Sequence, residues 1–321
     1  MRGAHGLAVR ALLNLLYIFN SACYNNSMRI ADDWKDYKII ATSDGMKLEN
    51  WKGVILLRPD PQVIWGGQDL HSYADINAVY HRSEKGGGAW EKRKGFPAEW
   101  TVSYKDLTFK IKPMGFKHTG LFPEQAVNWN ELKRLICAAQ SQNSDRDIKV
   151  LNLFAYTGAA SVACAKAGAK VTHVDAAKGM VERAGENARL SGVESGIRYI
   201  VDDCMKFVSR EIRRGNKYDG IIMDPPSYGR GPGGEMWKIE RDLFGFVKSC
   251  AQILSDNPLF FLINSYTTGL QPAVLKNILT LALKDFRGST EAYEVGIATE
   301  EGIPLPCGAS GLFTGEGYGQ K

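Results

Sequence analysis

Cysteine is sparse in this chain. Six occur in 321 residues, at 23, 137, 164, 204, 250 and 307, and no two form a C-x-x-C pair. That spacing offers neither a disulfide framework nor a zinc knuckle and points to a reducing, cytoplasmic setting. The five histidines, at 5, 71, 81, 118 and 173, form no ligand-spaced cluster, so no metal is expected. Long apolar runs are missing as well. None reaches the roughly 18 residues a bilayer-spanning helix needs, and the longest, Leu12 to Phe19, is interrupted by Asn14. An excess of one charge is also lacking, with 40 Lys+Arg against 35 Asp+Glu. With 23% charged and 10% aromatic residues, a disordered, collagenous or coiled-coil chain is excluded. What remains is a globular protein whose 44% apolar content can bury one large core or two ordinary ones.

The first residues stand apart. Arg2, Arg10 and Arg29 surround an apolar stretch without a single acid, ending in Asn20-Ser21-Ala22-Cys23. A secretory signal, an organellar transit peptide, or an upstream start ahead of Met28 would all look like this. Residues 1–27 are therefore set aside as an extension.

From Ile148 onward, short apolar runs alternate with segments of helical period. Ile148 to Phe154, Ala169 to Val174, Ile197 to Val201, Tyr218 to Met223 and Leu259 to Ile263 read as strands, rich in branched residues and largely without polar alternation. Between them, Met180, Ala184 and Ala188, then Phe207, Val208 and Ile212, repeat at helical spacing. The pattern predicts a doubly wound α/β domain over residues 119–321, with a helix over Phe122 to Ala139 leading into its sheet. Residues 28–118 read as a small α+β domain, mostly β: Tyr37 to Ala41 and Val54 to Leu57 are strands, and Trp100 to Tyr104 with Thr108 to Lys112 form a hairpin. Between 77 and 120, nine basic residues face four acids, interleaved with Tyr80, Trp90, Phe96, Trp100, Tyr104, Phe109 and Phe116. Such a stretch is either a nucleic-acid surface or a solvated edge over core aromatics.

In an open parallel sheet, ligands bind beyond the carboxyl ends of the strands. Here those ends carry Asn152-Leu-Phe-Ala-Tyr-Thr-Gly158, Val174-Asp175, Asp202-Asp203-Cys204 and Asp224-Pro225-Pro226-Ser227-Tyr228. A dinucleotide site asks for G-x-G-x-x-G, and this loop has only Gly158, which suits a ligand without phosphates. That glycine count argues against a dehydrogenase. Asp175 is placed to accept from ribose hydroxyls and Asp203 from an adenine amine, whereas the bland alternative is that both merely cap helices. An amino acid, a ribose and an adenine together describe S-adenosylmethionine. The two prolines after Asp224 make a stiff wall without donors, suited to a planar base edge, with Ser227 and Tyr228 next to it.

At these residues the sequence resembles class I S-adenosylmethionine-dependent methyltransferases, and within them the bacterial large-subunit ribosomal RNA enzymes that make 5-methylcytosine or 7-methylguanine. The resemblance runs from about residue 30 to 312. It rests on Gly120-Leu-Phe-Pro-Glu-Gln125, Leu151 to Gly158, Val174-Asp175, Asp202-Asp203, Asp224 to Gly231 with Glu235 and Trp237, and Leu305-Pro-Cys-Gly308. It implies a Rossmann-like fold with a mostly parallel, seven-stranded sheet. It also implies that Asn152, Phe154, Tyr156, Thr157 and Gly158 line the methionine end of the cofactor, Asp175 its ribose, and Asp203 with Cys204 its adenine. Phe122 and Gln125 would close over it, and Asp224, Pro225, Pro226, Ser227 and Tyr228 would face the substrate.

Two departures matter. The 5-methylcytosine enzymes carry Ser-Cys-Ser after the fifth strand, because carbon 5 becomes nucleophilic only once a thiolate has added to carbon 6. Here the position reads Asn264-Ser265-Tyr266, which leaves Cys307 as the fallback thiol and favours a base nitrogen as acceptor. The N-terminal RNA-binding PUA module of related enzymes has no counterpart, so the small domain would have to take its place. RNA, ribosomal in particular, is the expected partner, with no membrane and no metal. A protein or small-molecule methyltransferase and a non-catalytic RNA-binding assembly factor remain the alternatives.

Overall fold

The computed structural model describes residues 28–83, 87–115, 117–230 and 236–319. The extension 1–27, Phe116, and Glu235 with the loop before it lie outside the described residues.

Strand β1 (Met28–Ala31) is followed by β2 (Tyr37–Ser43), β3 (Met46–Trp51), β4 (Val54–Pro59), β5 (Ala78–Arg82) and β6 (Gly88–Lys92). Strands β2 to β6 form a sheet in that order, antiparallel except where β4 and β5 run parallel. Strand β3 carries too many polar residues to be read from its pattern. It is set by turn geometry: Asp44–Gly45 and Lys52–Gly53 all take left-handed φ, from 51° to 90°, as two-residue hairpin turns require. The expected hairpin is present as β7 (Trp100–Tyr104) and β8 (Leu107–Ile111).

A 3₁₀ turn at Pro123–Gln125 opens α1 (Ala126–Gln142). The alternation that follows is β9 (Lys149–Leu153), α2 (Ala159–Lys166), β10 (Lys170–Asp175), α3 (Lys178–Leu190), β11 (Ile197–Val201), α4 (Cys204–Arg214) and β12 (Gly220–Met223). After a short hairpin of β13 (Tyr228–Arg230) and β14 (Met236–Lys238) come α5 (Ile239–Ala251), β15 (Phe260–Ser265), α6 (Pro272–Ala282), β16 (Gly288–Ile297) and β17 (Leu305–Gly315). The large sheet runs β1-β16-β17-β15-β12-β9-β10-β11, parallel except for β17. Seven of these strands make the expected sheet, and β1 adds an eighth by pairing in parallel with β16. Helices α4, α5 and α6 cover one face through Phe207, Phe246 and Leu275, while α1 and α2 cover the other through Leu132, Ile136 and Cys164. Central strands buried on both faces therefore show no alternation. Strand β11 is one edge of the sheet, with β1 at the other, and its Tyr199 and Val201 are exposed.

The change of pattern at residue 118 does not separate two cores. Ile39, Trp51 and Phe109 of the small domain pack in one cluster with Trp129, Val162 and Ile297 of the large one. The β7–β8 hairpin is bolted to α3, where the Asn187 side chain accepts from Lys110 N at 2.9 Å and Ser191 Oγ from Thr108 N at 3.0 Å.

Candidate functional site

Strand order reverses between β9 and β12, because the chain builds outward from β9 to β11 and then returns to the other side. The crevice beyond the carboxyl ends at such a switch is where open α/β sheets bind ligands. A cleft of about 640 Å³ opens there. It is lined by Phe122, Glu124, Phe154, Tyr156, Asp175, Asp203, Cys204, Met205, Asp224, Pro225, Pro226, Ser227, Trp237, Tyr266 and Cys307, with Lys47, Arg58, Asp60, Lys117 and His118 of the small domain at its far rim.

The loop after β9 is wound unusually tightly. Phe154 and Tyr156 take φ of 54° and 49°, and both rings reach the cleft. Bulky residues rarely adopt that region, and doing so costs on the order of 1–3 kcal/mol each, so the surroundings must hold them there. They do: Phe154 N donates to Cys204 Sγ at 3.2 Å, Ala155 N to Val174 O at 3.1 Å, and Tyr156 N to Asp175 Oδ2 at 2.8 Å. Gly158 completes the turn at φ 81°, where a Cβ would lie 2.6 Å from that of Ala184.

Asp175, ending β10, accepts one backbone N–H on each carboxylate oxygen, from Tyr156 N and Ala177 N, both at 2.8 Å. Each oxygen keeps a lone pair free, which suits a vicinal pair of hydroxyls. Asp203 caps α4 by accepting from Lys206 N at 2.9 Å through Oδ1, leaving Oδ2 for a ligand. Capping and ligand binding are thus compatible here. The Cys204 thiol is buried, and burial pushes its pKa above the usual thiol range, so it packs rather than reacts.

The Asp224-Pro225-Pro226-Ser227 turn is fixed from outside: Trp237 Nε1 donates to Pro226 O at 2.6 Å, Ile239 N donates to Ser227 O at 3.1 Å, and Ser227 Oγ meets Thr267 Oγ1 at 2.6 Å. No side chain among the described residues donates to the Asp224 carboxyl. Burial and the neighbouring Glu124 charge push it up to about 7, so both protonation states are accessible near neutrality. Glu124 is itself raised, mainly by burial. Tyr266, whose hydroxyl accepts from Gln125 Nε2 at 2.7 Å, lies beside both acids. Cys307 also reaches the cleft, but burial and then Glu124 hold its thiol well above the ordinary range, a poor starting point for a thiolate.

Not every residue read from the sequence lines this cleft. Asn152 is buried and donates to Ser161 Oγ at 2.9 Å, which in turn meets His173 Nδ1 at 3.0 Å. Thr157 Oγ1 donates to Gly120 O at 2.7 Å, Gly158 shapes the turn from behind, and Gln125 props Tyr266 and Asn128. Tyr228 points along its hairpin, half exposed, with its hydroxyl on Met236 Sδ at 2.9 Å. These residues support the site from outside. Conversely, Glu124 and Tyr266 were visible only as members of motifs, Lys117 only as one of the nine basic residues between 77 and 120 and His118 only as a histidine outside any cluster, while Lys47, Arg58 and Asp60 carried no signal because only the fold brings them there.

The basic, aromatic stretch follows the bland reading for the most part. Lys94 pairs with Asp75, Lys105 with Asp33, Lys110 and Lys112 with Glu99, and Arg93 with Glu91. Tyr80, Tyr104 and Phe109 are buried, while the indoles of Trp90 and Trp100 donate to Met114 O and Trp51 O. Among the described residues of this stretch these aromatics pack inward or against backbone carbonyls and form no stacking platform. Among the described residues no group of three metal-binding side chains gathers, and no helix is long and apolar enough to cross a membrane.

The cleft fits S-adenosylmethionine on its own terms. Two carboxylates with free lone pairs stand at the ends of adjacent strands, apolar faces are supplied by Phe122 and Phe154, and the buried Tyr156 hydroxyl has no hydrogen-bond partner. Comparison with known proteins agrees. Residues 71–248 match the family model described as S-adenosylmethionine-dependent methyltransferase. The structure is similar to that of a SAM-dependent methyltransferase from Agrobacterium tumefaciens, at 32% identity and a TM-score of 0.83, covering 90% of this chain and 94% of that one. A ribosomal RNA large subunit methyltransferase K/L of Pseudoalteromonas atlantica is 32% identical over 53% of this chain, which spans only 23% of that relative's length. A putative ribosomal RNA large subunit methyltransferase of Methanocaldococcus jannaschii is 32% identical over 48% of this chain and 40% of its own length. With more than half of its length matched by the family model, the chain belongs to the S-adenosylmethionine-dependent methyltransferases.

Proposed function

We propose that this protein methylates a base of RNA, with large-subunit ribosomal RNA as the substrate and a ring or exocyclic nitrogen as the acceptor. The observation that carries the reading is the Asp224 carboxyl, bare of protein donors on a rigid proline turn, between the cofactor residues and the rim of the small domain. The relatives named as ribosomal RNA methyltransferases supply the substrate class.

When bound, the cofactor supplies a methyl group already activated on a sulfonium. Asp175 would hold its ribose, Asp203 its adenine, and Tyr156 with Phe122 its amino-acid end. The chain's remaining task is alignment and proton removal. Pro225 and Pro226 form a wall for the base edge, and Asp224 accepts the proton of an N–H as it becomes acidic on methylation. A carboxyl poised near 7 can do this at neutral pH and return to its ionised form afterwards. Carbon 5 of cytosine is disfavoured, because both thiols that line the cleft, Cys204 and Cys307, have pKa values raised by burial.

The test is transfer of labelled methyl from S-adenosylmethionine to ribosomal RNA of a methylation-deficient source, with the product nucleoside identified by mass spectrometry. Label in an N-methylated purine is expected. Label in 5-methylcytidine would move the chemistry to Cys307, and label appearing only in nuclease-treated extract would overturn the RNA reading.

A further inference from the structure

The far rim of the cleft holds a charge that the protein does not neutralise. Its residues come from β3, β4 and the segment between β8 and the 3₁₀ turn, and most of its charges are paired. Arg58 is held by the buried Glu49 carboxylate, with Nε to Oε2 at 2.5 Å and Nη2 to Oε1 at 2.7 Å. Lys47 Nζ lies 3.1 Å from Asp60 Oδ2, so the one acid that shares this rim is already engaged. His118 is kept neutral, its pKa lowered to about 4 by burial and by Arg58.

Lys117 is the exception. It lines the cleft, more than half withdrawn from solvent, and no carboxylate among the described residues reaches its ammonium. Its backbone is nevertheless fixed. Arg58 Nη1 donates to Lys117 O at 2.7 Å, and the flanking residues are tied by Lys112 N to Thr119 O at 3.0 Å and Met114 N to His118 O at 3.1 Å. Burial disfavours the charged form and outweighs the attraction of Asp60, which forms no ion pair with it, and the nearby cations Lys47, Arg82 and Arg58 add to the penalty, so its pKa is lowered. Lysine is rarely buried unless paired. An unpaired one on a rigid segment, facing an open cleft, is completed by an anion from outside.

We propose that Lys117 is a phosphate-binding residue of the substrate site, receiving a backbone phosphate of the RNA whose target base lies against Asp224, Pro225 and Pro226. The inference rests on the RNA reading given above. A nucleotide carries its phosphate one sugar away from its base, which matches a cleft with a base wall in its middle and a cation at its rim. Arg82, exposed at the end of β5 and also without a carboxylate partner among the described residues, extends the positive field beyond the cleft. The small domain then contributes to RNA binding through this rim and not through its paired lysines.

The experiment measures binding of a fluorescent single-stranded RNA oligonucleotide by anisotropy across a salt series, with S-adenosylhomocysteine present. Full-length wild type is compared with Lys117→Ala, Lys117→Arg and Lys94→Ala. Lys117→Ala is expected to weaken RNA binding roughly tenfold at low salt and to reduce the slope of log K against log salt by about 0.7, the loss of one phosphate contact on a single strand. Lys117→Arg retains most of both, and Lys94→Ala changes neither. Thermal melting checks that all variants fold, and calorimetry with S-adenosylhomocysteine should give equal affinities. Unchanged RNA affinity and slope in Lys117→Ala would overturn the proposal, as would a loss confined to S-adenosylhomocysteine binding, which would assign the lysine to the cofactor's carboxylate. RNA binding that depends on Lys117 without methyl transfer to any RNA would sink the function proposed above and leave this inference standing.

Discussion

The two ends of the cleft were assembled by different rules. The proposed cofactor end is made mostly of strand termini and the loops directly after them, which sit next to apolar runs that announce them, with Phe122 added from the segment before α1. The substrate end takes Asp224 from the same sheet but borrows Lys47, Arg58 and Asp60 from the small sheet and its edge, Lys117 and His118 from the segment between β8 and the 3₁₀ turn, and Tyr266 and Cys307 from far along the chain. The cofactor end is therefore a local product of the fold, and the substrate end is a product of domain packing. Substitutions should separate the two, with affinity for the cofactor answering to one end and turnover or RNA affinity to the other.

The largest separation is expected from Asp224→Asn. Turnover should fall about 10²–10⁴-fold, the usual worth of a positioned base, while S-adenosylhomocysteine affinity by calorimetry stays near wild type. The same variant has a stability signature. Because the folded protein holds the Asp224 proton up to about 7, the fold binds more protons than the unfolded chain between about pH 4 and 7. The Asp224 contribution to stability then declines as pH rises through that window, while His118 and His173, both lowered to about 4, contribute in the opposite sense. Asn cannot ionise, so thermal melts should show Asp224→Asn gaining on the order of 2–4 kcal/mol at pH 8 relative to its effect at pH 4.

Asp175→Ala is the reciprocal case. Loss of charge-assisted hydrogen bonds to a ribose should lower S-adenosylhomocysteine affinity about 10–100-fold. The proton chemistry should be unaffected, so the pH midpoint of the residual turnover is expected to match wild type.

Glu124→Gln sharpens the substrate end itself. Removing a neighbouring negative charge lets Asp224 ionise more easily, so the pH midpoint of turnover should move below 7 by about one pH unit. A midpoint that does not move would mean that burial alone sets the Asp224 proton affinity. The smallest effect is expected from Cys307→Ser, which should change turnover less than about twofold if the acceptor is a nitrogen. A complete loss would instead point to covalent chemistry at carbon 6.

How far the sequence could be read follows the same division. Strands β9, β10, β12 and β15 were legible because burial on both faces leaves runs such as Gly220–Met223 and Phe260–Ser265 with few polar interruptions, and the edge strand β11 was legible from its Ile, Tyr and Val content despite its exposure. Strand β3 was not, since Met46–Trp51 is held by two tight turns rather than by an apolar pattern. Among site residues, Asp175, Asp203 and Asp224 could be placed because a strand end is a position with a known direction. Asn152 and Gly158 could be placed near the site but not in it, because facing inward or outward depends on rotations that one-dimensional spacing does not encode. The interleaved aromatics of the basic stretch left two readings open for a similar reason. Tyr80 and Phe109 look the same in sequence whether they stack on a ligand or fill a core, and here they are buried.

The core that runs unbroken from Ile39, Trp51 and Phe109 to Trp129, Val162 and Ile297 has a further consequence. Residues 28–118 keep a small interior of their own around Leu48, Leu57, Ile76 and Val79, but their larger cluster is shared, so neither half can melt without exposing the other. Unfolding should therefore be a single cooperative transition, and a cut at residue 118 would yield two sticky fragments rather than two domains. Rim and cofactor pole are locked in register, so the gap a substrate must bridge is set when the protein folds.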